Sequence, residues 1–142
     1  MVDLPSTDCD FLVTETHWAI MTIAQEARSE PFIGKVAVAE VIRNRMKQRY
    51  FSDGTIIDTV LRPYQFSGWN TNDSNRIVCA RLKLSDKVTQ DCIKAWEVSE
   101  STNHTNNAVN YYAQYIAPPK WAYGSDLIKT VQIGRHLFYK RK

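Results

Sequence analysis

The 142-residue chain has few cysteines, and none of them is spaced for a structural metal site. Its three cysteines, Cys9, Cys79 and Cys92, cannot all pair within one chain, and none lies in a C-x-x-C motif that would indicate zinc. We interpret them as small buried apolar residues, with a disulfide between Cys79 and Cys92 as the alternative. His17 and His104 have no neighbour at metal-ligand spacing, so we predict neither a metal site nor a cofactor.

Long apolar segments are absent as well. No apolar run is long enough to cross a bilayer, which predicts a protein without stable membrane insertion. The sequence contains no internal repeat, low-complexity tract or linker, and its length suits one hydrophobic core. We therefore expect a single domain over residues 1–142, and we expect it to be a monomer.

Charge of one sign does not dominate the sequence. The net charge of +3 and the pI near 8.8 are mildly basic, which suits approach to an anionic polymer. One dense group of basic residues comprises Arg43, Arg45, Lys47 and Arg49. This spacing is more typical of an exposed helix flank than of a phosphate-binding track. We therefore predict no nucleic-acid partner.

Apolar periodicity predicts two helices joined by a tight turn near the N-terminus. Residues 14–25 have helical spacing of apolar side chains, and a second helix should run from Pro31 to about Arg49 or Tyr50. Pro31 disfavours the helical conformation at the residue before it, so the chain should turn between the two helices. Glu26 is therefore expected at a corner between helices and not on an open face.

The rest of the chain predicts one further long helix and a small sheet. The predicted elements are a helical turn opened by Thr55 and Asp58, an extended segment over 63–69, a helix over 85–100, and strands over 109–115 and 127–139. Gly134 should interrupt the last of these strands. Together the elements predict an α+β fold in which helices pack beside a small antiparallel sheet.

Five short motifs follow one another along the chain. They are Glu26-Ala27-Arg28-Ser29-Glu30-Pro31 with residues 34–38 and Asn44-Arg45, then Gln65-Phe66-Ser67, residues 109–113, residues 119–122 and residues 133–139. This order resembles the SleB-type cell-wall hydrolases, the spore-cortex-lytic family, whose motifs read E-A-R-G-E-P, Q-x-F-S, T-Y-F-H, P-x-W-A and I-G-x-H-x-F-Y. Ser29, Lys35 and Ala113 depart from the family pattern, which usually has Gly, Gln and His there. These departures bear on substrate preference more than on the type of reaction.

The resemblance implies a compact lysozyme-like domain that cleaves the bond between N-acetylmuramic acid and N-acetylglucosamine in peptidoglycan glycan strands. Such a reaction needs a carboxylic acid that is still protonated near neutral pH. Glu26 is the candidate, because it follows an apolar helix stripe and is close in sequence to Glu30. Glu30 is a candidate for substrate binding, although pairing with Arg28 is the favoured interpretation.

No second carboxylate lies at a spacing that indicates a nucleophile or a water activator. Asp58, Asp73 and Asp126 occupy turns or helix starts, where aspartate is common for backbone reasons. The resemblance then implies lytic transglycosylation, in which Glu26 acts first as acid and then as base and a 1,6-anhydromuramic end forms. The alternatives are a hydrolytic muramidase, or a non-catalytic cell-wall-binding module of a virion.

Aromatic and polar residues within the motifs are candidates for sugar binding. The candidates are Gln65, Phe66, Ser67, Tyr111, Tyr112 and Trp121. Trp18, Trp96 and Phe138 are instead predicted to lie in the core. His136 is interpreted as a packed, hydrogen-bonded histidine, because apolar residues flank it.

The N-terminal segment lacks the features of a secretory signal, since residues 1–11 carry three aspartates and no apolar core. We therefore expect synthesis in the cytoplasm without a signal peptide. Action on the cell wall then requires another route. The resemblance favours a short phage endolysin that is released through a holin or carried by a virion.

Overall fold

The structure, a computed structural model, describes residues 4–5 and 14–142. The prediction for Cys9 and the interpretation of most of residues 1–11 lie outside the described residues. The helices are α1 Thr16–Ala27, α2 Phe32–Gln48, α3 Ile56–Leu61, α4 Ser74–Cys79 and α5 Lys87–Ser99. The strands are β1 Ala108–Ala113, β2 Leu127–Ile133 and β3 His136–Arg141, and short 3-10 helices span Ser67–Trp69 and Lys120–Tyr123. The predicted α+β class is confirmed.

Helix α1 is the central element of the helical part. Ten of its twelve residues are buried, because apolar side chains occur on all of its faces. Pro31 caps α2, and the amide of Glu30 donates to the carbonyl of Ala27, which closes the predicted turn between the helices. Helix α1 ends at Ala27, two residues later than predicted, so Glu26 lies in the last turn of α1.

The sheet has the strand order β1-β3-β2, and both pairings are antiparallel. Strands β2 and β3 form a hairpin that turns at Gly134, which has a φ of 57° and marks the predicted interruption. Strand β1 is held against α2, since Asn44 Nδ2 donates to the carbonyl of Ala108 at 2.8 Å. Its free edge is therefore left beside the end of α1.

The predicted core residues are buried. Trp18, Trp96 and Phe138 are 4%, 8% and 0% exposed. Cys79 and Cys92 lie buried in the core and are not joined to each other, and burial raises the pKa of Cys92 to about 12. The interpretation as small apolar core residues thus holds for these two, and the alternative disulfide is not formed. No helix in 14–142 has both the length and the apolar character that a membrane span requires.

The segment between α3 and α5 differs from the prediction. Residues 63–69 form a turn and the 3-10 helix Ser67–Trp69 in place of an extended segment. The indole of Trp69 donates to Thr22 Oγ1 at 2.8 Å, which pulls this segment onto α1. Helix α4 follows at Ser74–Cys79, where no helix was predicted, and the side chain of its cap Asp73 accepts from the amide of Asn75. Tertiary contact with α1 therefore shortens the segment.

Candidate active site

A cleft of about 530 Å³ opens between the helices and the edge of β1. Its walls come from the end of α1, Arg45 of α2, the 64–70 loop, β1 and the segment 115–121. Among the described residues that line it, Glu26 is the only carboxylate. The cleft therefore combines one acid with many amide and aromatic side chains.

Glu26 is partly buried, and few of the described residues donate a hydrogen bond to it. Tyr111 Oη donates to Oε1 at 2.5 Å, and the Gly68 amide donates weakly to Oε2 at 3.4 Å. Burial raises the pKa of Glu26 above its ordinary value, although both hydrogen bonds and the charge of Arg45 act in the opposite direction. Glu26 thus retains a proton to a higher pH than an exposed glutamate.

The two donors to Glu26 depend on close packing. Burial and the charge of Glu26 raise the pKa of Tyr111 well above its usual value, so this phenol remains a donor. A Cβ at Gly68 would lie 2.7 Å from Gln25 Oε1, so a larger residue would displace the Gly68 amide. The structure of the 64–70 loop therefore matters to the acid itself.

Arg45 corrects the prediction of an exposed basic flank. Arg45 is 2% exposed, and its guanidinium donates to three acceptors in two separate parts of the chain. These acceptors are the Val109 carbonyl at 2.6 Å, Gln65 Oε1 at 3.0 Å and Asn110 Oδ1 at 3.0 Å. Arg45 therefore fixes the 64–70 loop and β1 relative to α2, and it brings a positive charge to the cleft.

Most of the predicted sugar-binding residues line the cleft. These are Gln65, Ser67, Tyr111, Tyr112 and Trp121. Phe66 does not, since it is 3% exposed and packs in the core beneath the guanidinium of Arg45. The backbone at Phe66 is extended, so its side chain points away from those of Gln65 and Ser67.

Glu30 does not pair with Arg28, contrary to the favoured interpretation, and it does not line the cleft. Arg28 instead donates to Asn75 Oδ1 at 2.5 Å. Glu30 is 8% exposed and accepts from the Arg135 amide at 2.8 Å, because the turn after α1 faces the turn of the β2–β3 hairpin. His136 was predicted from the sequence to be a packed, hydrogen-bonded histidine. In the structure it lines the cleft, and its Nδ1 has no hydrogen-bond partner among the described residues.

Sequence analysis did not identify several residues of the rim. Tyr64 is 95% exposed with a φ of 68°, an uncommon backbone conformation for a bulky residue. Tyr115 and Ile116 border the cleft along the segment after β1. No periodic pattern marks residues in such loops, so only their position in the structure places them at the cleft.

Known proteins resemble this chain in sequence. A spore cortex-lytic enzyme of Bacillus cereus is 31% identical over 115 residues, which are 81% of this chain and 40% of that protein. A spore cortex-lytic enzyme of Oceanobacillus iheyensis is 33% identical over 118 residues, which are 81% of this chain and 37% of that protein. The chain therefore spans less than half the length of these curated relatives.

Solved structures resemble it in fold. The catalytic domain of the Bacillus cereus SleB protein has a TM-score of 0.67 at 24% identity and covers 89% of both chains. The catalytic domain of the germination-specific lytic transglycosylase SleB from Bacillus anthracis has a TM-score of 0.68 at 22% identity, over 96% of this chain and 100% of that one. These likenesses confirm the small lysozyme-like domain. The family model described as cell wall hydrolase matches residues 29–139, and the chain belongs to the cell wall hydrolase family.

Proposed function

We propose that this chain degrades peptidoglycan as a lytic transglycosylase, cleaving the bond between N-acetylmuramic acid and N-acetylglucosamine with Glu26 as acid and base. Membership of the cell wall hydrolase family supports peptidoglycan as the substrate. The observation that carries the mechanism is the presence of one partly buried carboxylate of raised pKa, without a second among the described residues that line the cleft.

In the first step, protonated Glu26 transfers its proton to the glycosidic oxygen. The bond from that oxygen to C1 of the muramyl residue breaks, and positive charge develops at C1. Glu26 is then a carboxylate, and the Tyr111 hydroxyl and the Gly68 amide donate to it. These two donors offset part of the cost of a buried charge.

In the second step, the same carboxylate accepts the proton of the muramyl C6 hydroxyl. The C6 oxygen attacks C1 and closes a 1,6-anhydro ring, which restores protonated Glu26. The two products together contain all the atoms of the substrate, and water is not consumed. A single group serves both steps because the first step leaves it ionised.

The lack of a second carboxylate among the described residues that line the cleft disfavours hydrolysis. Inverting and retaining glycosidases use two carboxylates that flank the scissile bond. Asp73 is near enough to raise the pKa of Glu26, but its side chain caps α4 and does not line the cleft. A hydrolytic muramidase, in which water replaces the C6 hydroxyl, is the second candidate.

Aromatic side chains at the edge of β1 supply sugar-binding surfaces. Tyr112 and Trp121 line the cleft, their ring centroids are 5.8 Å apart, and both pack on Tyr139. Because neighbouring rings support them from one side, they offer fixed apolar faces to a sugar. Gln65 and Ser67 add hydrogen-bonding groups across the cleft. Delivery to the wall through a holin or on a virion stays part of the proposal.

Mass spectrometry of purified peptidoglycan after digestion tests this function. The expected products end in 1,6-anhydromuramic acid and are one water lighter than reducing-end products. Reducing muramic ends would identify a muramidase, and released peptide stems with uncut glycan would reject glycosidic cleavage altogether. Binding to the wall without any product would identify a non-catalytic module. Glu26→Gln protein serves as the control for contaminating enzymes.

A further inference from the structure

His136, which lines the cleft around Glu26, forms a titratable pair with Glu30, and the proposed mechanism does not use this pair. His136 is the first residue of β3, lines the cleft and is 8% exposed. Its Nδ1 lies 3.8 Å from Glu30 Oε1 and is buried without a hydrogen-bond partner among the described residues. A buried ring nitrogen that faces a buried carboxylate requires an explanation.

The position of Glu30 is closely specified by its surroundings. The Arg135 amide donates to Oε1 at 2.8 Å, and Lys35 Nζ donates to the backbone carbonyl of Glu30 at 2.5 Å. A Cβ at Gly134 would lie 2.7 Å from the same Oε1, so the hairpin turn leaves space for this carboxylate. Removing a carboxylate from water is costly, and an imidazole N–H dipole that faces the carboxylate reduces that cost.

The ring of His136 is held in one orientation. It packs against the ring of Tyr111, with centroids 4.8 Å apart, and Tyr111 in turn donates to Glu26. Ala113 is the direct partner of His136 across the β1–β3 pairing, so the two side chains share a face of the sheet. Because Ala113 carries only a methyl group and also lines the cleft, the space beside the imidazole is open to a ligand.

We propose that Glu30 and His136 form a substrate-positioning pair, in which the Glu30 carboxylate, 3.8 Å from Nδ1, favours the Nδ1–H tautomer of neutral His136 and Nε2 accepts a hydrogen bond from the bound sugar. The donor on the sugar is a hydroxyl or an acetamido N–H near the scissile bond. Fixing the tautomer of a histidine through its second nitrogen is a general device. Burial lowers the pKa of His136 despite the charge of Glu30, which favours the neutral ring. This inference rests on the proposed function only in taking a glycan as the ligand.

Three variants separate positioning from packing. His136→Asn retains a group that can donate to Glu30 and loses the Nε2 acceptor, whereas His136→Gln retains a polar group near the Nε2 position. Glu30→Gln retains the acceptor for the Arg135 amide and loses the charge. We expect about a tenfold rise in KM for His136→Asn, from one lost hydrogen bond, with kcat within about twofold. We expect a smaller rise for Glu30→Gln and partial recovery in His136→Gln.

The matched control is His104→Asn, since His104 is exposed and does not line the cleft. The proposal would be overturned if His136→Asn and Glu30→Gln both kept the wild-type KM. It would also be overturned if the loss of activity in each variant were explained by its lower melting temperature alone. Binding of each variant to insoluble peptidoglycan in a Glu26→Gln background tests the pair without turnover. This arm therefore stands even if the wild-type products reject transglycosylation. The same binding assay with de-N-acetylated peptidoglycan identifies the sugar group that donates to Nε2. If the donor is the acetamido N–H, His136→Asn should no longer weaken binding to this substrate. If the donor is a hydroxyl, His136→Asn should still weaken it.

Discussion

Two glutamates on neighbouring helices, Glu26 partly buried and Glu40 fully buried, have different surroundings. Glu40 of α2 is 2% exposed, and its carboxylate accepts four hydrogen bonds from the loop that leads to β1. The donors are the Thr105 amide and hydroxyl, both at 2.9 Å, the Thr102 hydroxyl at 2.7 Å and the His104 amide at 3.0 Å. Glu26 of α1 accepts only two from the part of the chain that the structure describes, and one of these is long.

The difference separates a structural carboxylate from a chemical one. Four donors satisfy both oxygens of Glu40, so its charge ties α2 to the loop at 102–105. Glu26 is partly buried and has fewer donors among the described residues, and its loss of hydration therefore raises its pKa. A proton that is held without strong competition from neighbours can be transferred to a substrate.

The largest expected effect is that of Glu26→Gln on activity. The change preserves size and removes the transferable proton, so turnover of peptidoglycan should fall by about 10²–10⁴-fold. Turbidity loss of purified walls measures this, with circular dichroism to verify the fold. A folded Glu26→Gln protein that clears walls at a near wild-type rate would contradict the assignment of Glu26 as the general acid.

The same variant should change how stability depends on pH. Because burial raises the pKa of Glu26 in the folded protein, this group stabilises the fold fully below its unfolded pKa. The contribution is lost as the pH rises through the folded pKa. Glutamine does not titrate, so the stability of Glu26→Gln relative to wild type should increase from pH 4 to pH 8. Melting curves across this range measure it, and a constant difference would contradict it.

Glu40→Gln should have the opposite outcome. An amide cannot accept at its nitrogen, so part of the loop at 102–105 loses its acceptor, which should cost about 1–3 kcal/mol of unfolding free energy. Activity below the melting transition should stay near wild type, because Glu40 does not line the cleft. Chemical denaturation and wall clearing measure the two quantities. Strong loss of activity in a fully folded Glu40→Gln protein would contradict the conclusion that Glu40 has a structural role and Glu26 a chemical one.

Tyr111→Phe should sharpen the comparison by removing one of the two donors to Glu26. The lost hydrogen bond stabilised the carboxylate, so the pKa of Glu26 should rise further. Since Glu26 must start protonated, the alkaline limb of kcat/KM should move to higher pH. We expect kcat to fall about tenfold, because the carboxylate of the second step loses a charge-assisted donor. An unchanged pH profile would show that the hydroxyl does not act on the acid.

The smallest expected effect concerns the rim, and it tests how far the cleft extends from Glu26. Tyr64→Asn keeps a residue that tolerates a positive φ and removes the exposed ring. The lost stacking contact should weaken binding by about 0.5–1.5 kcal/mol, which should raise KM roughly two- to tenfold on long glycan strands. The matched control is Tyr123→Asn, since Tyr123 is 76% exposed but does not line the cleft. Equal effects of the two changes would remove Tyr64 from the binding surface.

Local patterns in the sequence predicted much of the fold. The helix pair around Pro31, the cap at Thr55 and the hairpin break at Gly134 all follow from interactions within a few residues. The core positions of Trp18, Trp96 and Phe138 were predicted as well. Predictions that depended on distant partners were wrong. Arg45 was assigned to an exposed helix flank, Phe66 to the sugar-binding cleft and Glu30 to pairing with Arg28, although each packs against segments that no local pattern reveals.

By itself, the sequence determined the helix periods, the turn residues, the order of the family-like motifs and the place of Glu26 at the end of α1. Only the tertiary structure decided the chemistry that Glu26 can perform. Its donors, Gly68 and Tyr111, are 42 and 85 residues away along the chain. Hydrogen bonding and burial depend on distances in space, and these two effects set the pKa of a carboxyl group. The acid is therefore encoded at one position, and its strength is set by the packing of three separate segments.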